Sequence, residues 1–218
     1  MLCTETAKAR LGLLYMNSKR FDIANDILKE ALVTAQKNVE LRALYTYYMV
    51  KSKQNEKLSR AFAEATIKES VGGRYDTYAL CAIGILLFNA AREIRPASTE
   101  QAKDKASKNV RAAEFFDRAL QQDPNCAVAA QGIAIVMAED ALHQGALSST
   151  ADPTQRSRNF RDAVNILAKV RDTIADGSVY VNLGNVHAAR EEWEKAIENV
   201  SSKDTLSRTL LTISISPV

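Results

Sequence analysis

Apolar residues recur along this chain at i, i+3, i+4 and i+7 over long stretches, the pattern of helices that bury one face. Phe21, Ala24, Ile27, Leu28 and Ala31 form one such stripe, after a turn at Asn17-Ser18-Lys19-Arg20. With Leu11-Gly12 and Tyr15 ahead of it, the stripe belongs to a larger framework that returns down the sequence. Gly12 to Thr46 is 34 residues, and the shifted framework falls on Tyr45-Thr46, Met49, Leu58, Phe62 and Ala65. It returns as Ile83-Gly84 and Leu87 with Ala112, Phe116, Ala119 and Pro124, and as Ile133-Ala134 and Met137 with Ala163, Leu167 and Val170. A last copy opens with Leu183-Gly184 and His187 and reaches Ala196 and Val200.

A small residue where two helices cross, a large apolar residue three positions on, and Ala with Phe or Leu on a second helix, all at a period of 34, is the tetratricopeptide repeat (TPR) signature. The expected fold is all-α, a TPR-type right-handed α-solenoid of antiparallel helix pairs with one continuous core over residues 1–200. The pairs are expected at about 5–38, 39–72, 76–126 and 127–176, with a partial one at 177–200. The second is degenerate: Thr46 takes the small position and Leu58 replaces the usual Ala. Gly72-Gly73 breaks the chain before Asp76-Thr77, which can cap the next helix.

Two pairs are interrupted. Gly84 to Ala112 is 28 residues where the first pair has 12, so 16 extra residues separate the partner helices. The segment Arg92 to Arg111 carries six basic and three acidic residues. It is either a basic projection for nucleic acid or an acidic protein, or a solvated helix extension. Its mixed charges favour the extension, contributing little to the core. Pro96 is expected to end the first helix of that pair. In the fourth pair 17 extra residues precede Ala163, and Gly145 to Pro153 reads as a mobile loop. Beyond Val200 the spacing fails. Ser201 to Val218 is Ser/Thr-rich and β-branched, and is expected to be a non-repeat tail, disordered or non-native, attached to an uncapped last helix.

Composition narrows the function classes. The 29 basic and 26 acidic side chains leave +3, too balanced to imply nucleic-acid binding by itself. Cys3, Cys81 and Cys126 are odd in number and lack metal-like spacing, as expected in a reducing compartment. No apolar run approaches the ~20 residues that cross a bilayer, and the start lacks a basic stretch followed by an apolar one. The reading is a soluble intracellular chain.

No constellation suits catalysis, a metal or a cofactor. His143 and His187 lie in different repeats with no partner at ligand spacing. His187 takes a large-apolar slot and is expected to pack in the core, whereas His143 borders a loop. Gly72-Gly73 lacks the Lys-Ser/Thr of a phosphate loop. What stands out is the face that first helices turn to a TPR groove. Positions three before, one after and four after each small residue include Leu13, Met16, Ala43, Tyr47, Val50, Cys81, Ile85, Phe88, Gln131, Ile135, Val181, Asn185 and Ala188. Leu13, Met16, Tyr47, Val50, Ile85, Phe88, Gln131 and Ile135 are the candidate partner-binding strip. Tyr47, Val50, Ile85, Phe88 and Ile135 are expected to line one concave surface and stay partly exposed. A helix or extended peptide with apolar anchors would suit it. Leu13, Tyr47, Ile85 and Ile135 occupy slots where a carboxylate clamp would place Asn, which disfavours that mode.

Residues 7–200 also resemble a particular family. YDTYALCAIGILLFNAARE, AAEFFDRALQQDPNCAVAAQGIAIVMAED and NFRDAVNILAKVRDTIADGSVYVNLGNVHAAREEWEKAIENV are similar to the middle and later repeats of the large TPR subunit of the RNA polymerase II-associated factor (PAF) elongation complex, in its fungal form. The lengthened third pair matches in place and character. That resemblance implies a nuclear, non-enzymatic scaffold that holds other complex subunits through helical or extended segments. It also implies meeting RNA polymerase II directly or through them, helping couple elongation to histone modification. Nucleic acid would not be the primary partner, and no membrane is involved. The family protein is much longer, so the chain corresponds to a central segment. The alternative is a cytosolic TPR adaptor with an unrelated peptide in its groove.

Overall fold

The computed structural model of the protein describes residues 2–36, 38–52, 56–68, 77–147, 153–173 and 177–202. Among these the chain is helical, with turns and no strand. The helices are α1 (Leu2–Asn17), α2 (Phe21–Thr34), α3 (Val39–Lys51), α4 (Glu56–Lys68), α5 (Thr77–Glu93), α6 (Thr99–Gln122), α7 (Ala127–Leu147), α8 (Pro153–Thr173) and α9 (Gly177–Ala189). A further helical segment, α10, is described over residues 193–202. The chain divides into two compact units, Met1–Ala129 and Ala130–Val218.

In the first unit each helix packs on its successor, and α1 on α3 and α3 on α5, the neighbour pattern of stacked helix pairs. The small repeat residues explain how closely partners approach. A Cβ at Gly12 would lie 2.6 Å from Leu28 Cδ2, and one at Gly84 would lie 2.7 Å from Phe116 Cε1. Leu28 and Phe116 are buried in the space those glycines leave. Full burial of a side chain of this size contributes about 1.5–3 kcal/mol. On both helices the buried positions fall at i, i+4 and i+7: Ala24, Leu28 and Ala31 on α2, and Ala112, Phe116 and Ala119 on α6.

The second pair follows the same rule in a different register from the one expected. Leu58 is 58% exposed, while Ser59, Ala63 and Thr66 are buried at i, i+4 and i+7. The stripe therefore starts one residue later than the 34-residue shift implies. Volume is also exchanged: the slot held by Leu28 and Phe116 in the neighbouring pairs holds Ala63, and the crossing slot holds Thr46 in place of Gly. The buried Thr46 and Thr66 hydroxyls donate to the carbonyls of Arg42 and Phe62, each at 2.8 Å, so neither lacks a partner. Phe62 lies half-buried beside the stripe, edge-on to Tyr45 at 5.8 Å between centroids.

The insertion at 92–111 does not stand apart from the core. α5 ends at Glu93, before Pro96, and Ser98 Oγ accepts the Gln101 N–H at 3.3 Å to cap α6. The buried stripe of α6 then runs back through Asn109 and Lys105, in continuity with Ala112. The expectation of a solvated extension is corrected for these two residues, because helical periodicity carries one face inward wherever a neighbour covers it. The Asn109 Oδ1 is buried with no hydrogen-bond partner.

In the second unit, α8 buries Phe160, Ala163, Leu167 and Val170 and packs on α9. Gly184 of α9 meets α10, where an added Cβ would lie 2.8 Å from Val200 Cγ2. The loop expected at 145–153 is helical at both ends: α7 continues through Leu147 and α8 begins at Pro153. His143 therefore lies within α7. Residues 148–152, Gly72-Gly73, Asp76 and the tail from Lys203 onward lie outside the described residues.

One turn recurs in the first unit and again in the second. Lys19 and Glu191 both have positive φ, 59° and 63°, and each follows its crossing glycine by seven residues. Arg20 N–H donates to the Tyr15 carbonyl at 2.9 Å, and Glu192 N–H to the His187 carbonyl at 3.0 Å. The left-handed residue ends the first helix and reverses the chain into the second, a role usually given to Gly.

Candidate partner-binding face

In the first unit the structure separates the candidate strip into residues that build core and residues that retain surface. Met16 and Tyr47 belong to the buried cluster formed by α1, α2 and α3. Val50 is buried with Ala82 and Leu86 of α5. Ala43 and Cys81 are fully buried. Tyr47 is only 5% exposed and Val50 8%, which corrects the expectation that both stay open. Successive first helices pack on one another, so positions that share the groove phase are consumed between repeats.

Leu13, Ile85 and Phe88 are half-buried. Leu13 and Ile85 lean on the cluster that contains Met16 and Tyr47, and Ile85 also touches the Val50 cluster. The Arg92 guanidinium lies 5.9 Å from the centroid of the Phe88 ring, and the Lys51 ammonium 5.5 Å from that of Tyr47, within cation–π range. Tyr78, outside the candidate strip, packs half-buried against the same cluster, its ring 5.6 Å from that of Tyr47. It stands one helical turn before Cys81, so extending the groove phase by three residues would have found it.

In the second unit Ile135 is half-buried on α7, and on α9 Val181 and Ala188 are half-buried with Asn185 exposed. Gln131 is engaged within the fold. Its Oε1 accepts from Asn182 Nδ2 at 3.1 Å and from Ser178 Oγ at 3.4 Å, tying α7 to α9. Its amide oxygen therefore serves packing before any partner.

His187 is buried as its apolar slot requires, and its Nδ1 lies 2.8 Å from Glu192 Oε2. Arg190 and Lys195 also reach Glu192, at 2.8 and 3.4 Å. The His187 hydrogen bond, with Lys195 and Arg190 behind it, holds the Glu192 carboxyl below its ordinary range against a smaller opposing effect of burial. This cluster fastens the turn between α9 and α10. On α10, Trp193 is 61% and Ile197 67% exposed.

No family model matches the chain. Tetratricopeptide repeat protein 1 of Schizosaccharomyces pombe is 27% identical over 194 residues, covering 88% of this chain. RNA polymerase-associated protein CTR9 of Saccharomyces cerevisiae is 29% identical over 199 residues, again covering 88%. The chain spans 17% of the length of each of these relatives. Among solved structures, the crystal structure of MamA protein aligns over the whole of both chains with a TM-score of 0.45 and 14% identity. The human IFIT1 dimer with m7Gppp-AAAA covers 92% of this chain and 54% of its own, with a TM-score of 0.46 and 13% identity. The recurring crossing residues, the stacked helix pairs and the two fungal relatives together make this chain a TPR-type all-α protein.

Proposed function

We propose that the chain is a central segment of a non-enzymatic protein-binding scaffold in a nuclear transcription elongation complex associated with RNA polymerase II, of the PAF type and linked to histone modification. The observation that carries this reading is the similarity to CTR9, whose name places it with RNA polymerase and which aligns with 88% of the chain. TPR arrays act by holding partners, and the half-buried apolar side chains of Leu13, Ile85 and Phe88 in the first unit, and separately that of Ile135 in the second, offer anchorage to helical or extended segments of other subunits. RNA polymerase II would be met directly or through those subunits.

The test is affinity purification of the tagged full-length protein from its own cells, wild type beside a Phe88→Asp, Ile135→Asp variant. Ile85 is left intact because it packs on two core clusters. Elongation-complex subunits and RNA polymerase II should co-purify with the wild type. Their loss from the variant, with unchanged helical circular dichroism, would assign binding to these side chains. Recovery of no elongation factor with the wild type would overturn the reading.

A further inference from the structure

Cys81 and Cys126 are 45 residues apart in sequence, and folding brings their sulfurs to 3.8 Å. Cys81 is fully buried in α5, whereas Cys126 is half-buried immediately before α7. Both belong to the first compact unit. We propose that these two cysteines form a peroxide-reactive dithiol, in which Cys126 is oxidised first and Cys81 resolves it to a disulfide.

The surroundings divide the two roles. Cys126 immediately precedes α7, where the backbone N–H groups of Val128 and Ala129 favour the thiolate, as a helix N-terminus does. The hydrogen bond from Cys81 lowers the Cys126 thiol most, to about 7, with those backbone donors adding to it and burial and Asp123 opposing. Partial exposure lets a small hydroperoxide reach Cys126, whereas Cys81 has no surface of its own. A disulfide needs the sulfurs at about 2.05 Å, so closure from van der Waals contact takes less than about 2 Å of side-chain movement.

The chemistry balances with one hydroperoxide. The Cys126 thiolate attacks the distal peroxide oxygen, the S–O bond forms as the O–O bond breaks, and the leaving alkoxide or hydroxide takes a proton. Sulfur is oxidised by two electrons and the peroxide is reduced. The Cys81 sulfur then attacks Cys126 Sγ, the S–S bond forms as the S–O bond breaks, and the hydroxyl leaves as water with the Cys81 proton. The product ties α5 covalently to the connection between α6 and α7.

The experiment uses the full chain carrying Cys3→Ser, so that Cys81 and Cys126 are the thiols present. It is treated with hydrogen peroxide in slight excess, then alkylated and mapped by mass spectrometry without reduction. We expect a Cys81–Cys126 peptide pair lighter by about 2 Da than its reduced components, reversed by dithiothreitol. Adding Cys81→Ala should leave a sulfenic acid at Cys126 that a dimedone probe traps, and adding Cys126→Ser should abolish oxidation at Cys81. Circular dichroism confirms folding of each. Full alkylation of both cysteines after treatment, or oxidation of Cys126 onward to the sulfinic acid with Cys81 unpaired, would overturn the proposal.

Discussion

Replacing Gly84 by Ala sets two effects of known sign against each other. Ala favours a helix interior over Gly by about 1 kcal/mol, so on an open face the change would stabilise. Here the new Cβ would stand 2.7, 2.8 and 3.0 Å from Cε1, Cζ and Cδ1 of Phe116, where carbon contacts settle at about 3.5–4.0 Å. Three ring atoms must retreat by roughly 0.5–1 Å. The ring is only 2% exposed, so it has no solvent to move into. Overpacking of this kind costs about 1–3 kcal/mol. The clash therefore cancels or outweighs the gain, with a net loss of about 0–2 kcal/mol, which lowers Tm by up to roughly 8 °C in a chain of this size. In a Phe116→Leu background the contact atoms are gone, and Gly84→Ala should become neutral or stabilising. Thermal and urea melts of the four proteins in this cycle measure the coupling, expected to be at least about 1 kcal/mol. An equal cost of Gly84→Ala in both backgrounds would refute the crossing argument.

At Gly184 an added Cβ would meet Val200 Cγ2 at 2.8 Å, on a side chain with exposed surface to rotate into, and the Ala196 carbonyl oxygen at 3.2 Å, which need give far less than the Phe116 ring, so Gly184→Ala should cost less than Gly84→Ala in the same melts. Lys19 occupies a left-handed backbone that costs a non-glycine residue about 1–2 kcal/mol, part of which Gly returns as unfolded-state entropy. Lys19→Gly should thus raise Tm modestly, and a fall would show that the lysine side chain contributes more than the strain. Glu192 titrates lower in the folded chain than unfolded, so the unfolded state takes up the proton first as the pH falls. Its contribution is complete above the unfolded carboxyl value of about 4.3 and is lost as pH falls through the lowered folded value. Glu192→Gln should accordingly melt below wild type at pH 7, by the roughly 0.2–1 kcal/mol of a solvent-accessible cluster. The two curves should converge as the pH falls through the lowered folded value, and a gap that stays constant through acid pH would refute the assignment.

Helical periodicity and the small crossing residues are local properties, and they sufficed for the all-α class built from helix pairs. Gly12 could be read as a crossing because a residue without a Cβ, recurring in phase with Leu28-like partners, has few other uses in a helix interior. Register within the second pair was not legible, since exchanging Gly and Leu for Thr46 and Ala63 keeps the combined volume while erasing the residue types that mark the slots. The reversing turns were hidden for a related reason: Lys19 and Glu191 hold a conformation whose sequence mark is Gly. Partition of the candidate face needed the tertiary structure altogether. Tyr47 and Ile85 share one phase on their helices, yet α3 and α5 pack so that the first is closed off and the second keeps an edge. The same dependence on neighbours buries Lys105 and Asn109, commits Gln131 to Asn182, and brings Cys81 to Cys126. Periodicity states which face of a helix turns inward, whereas burial and proximity are set by what another part of the chain puts against it.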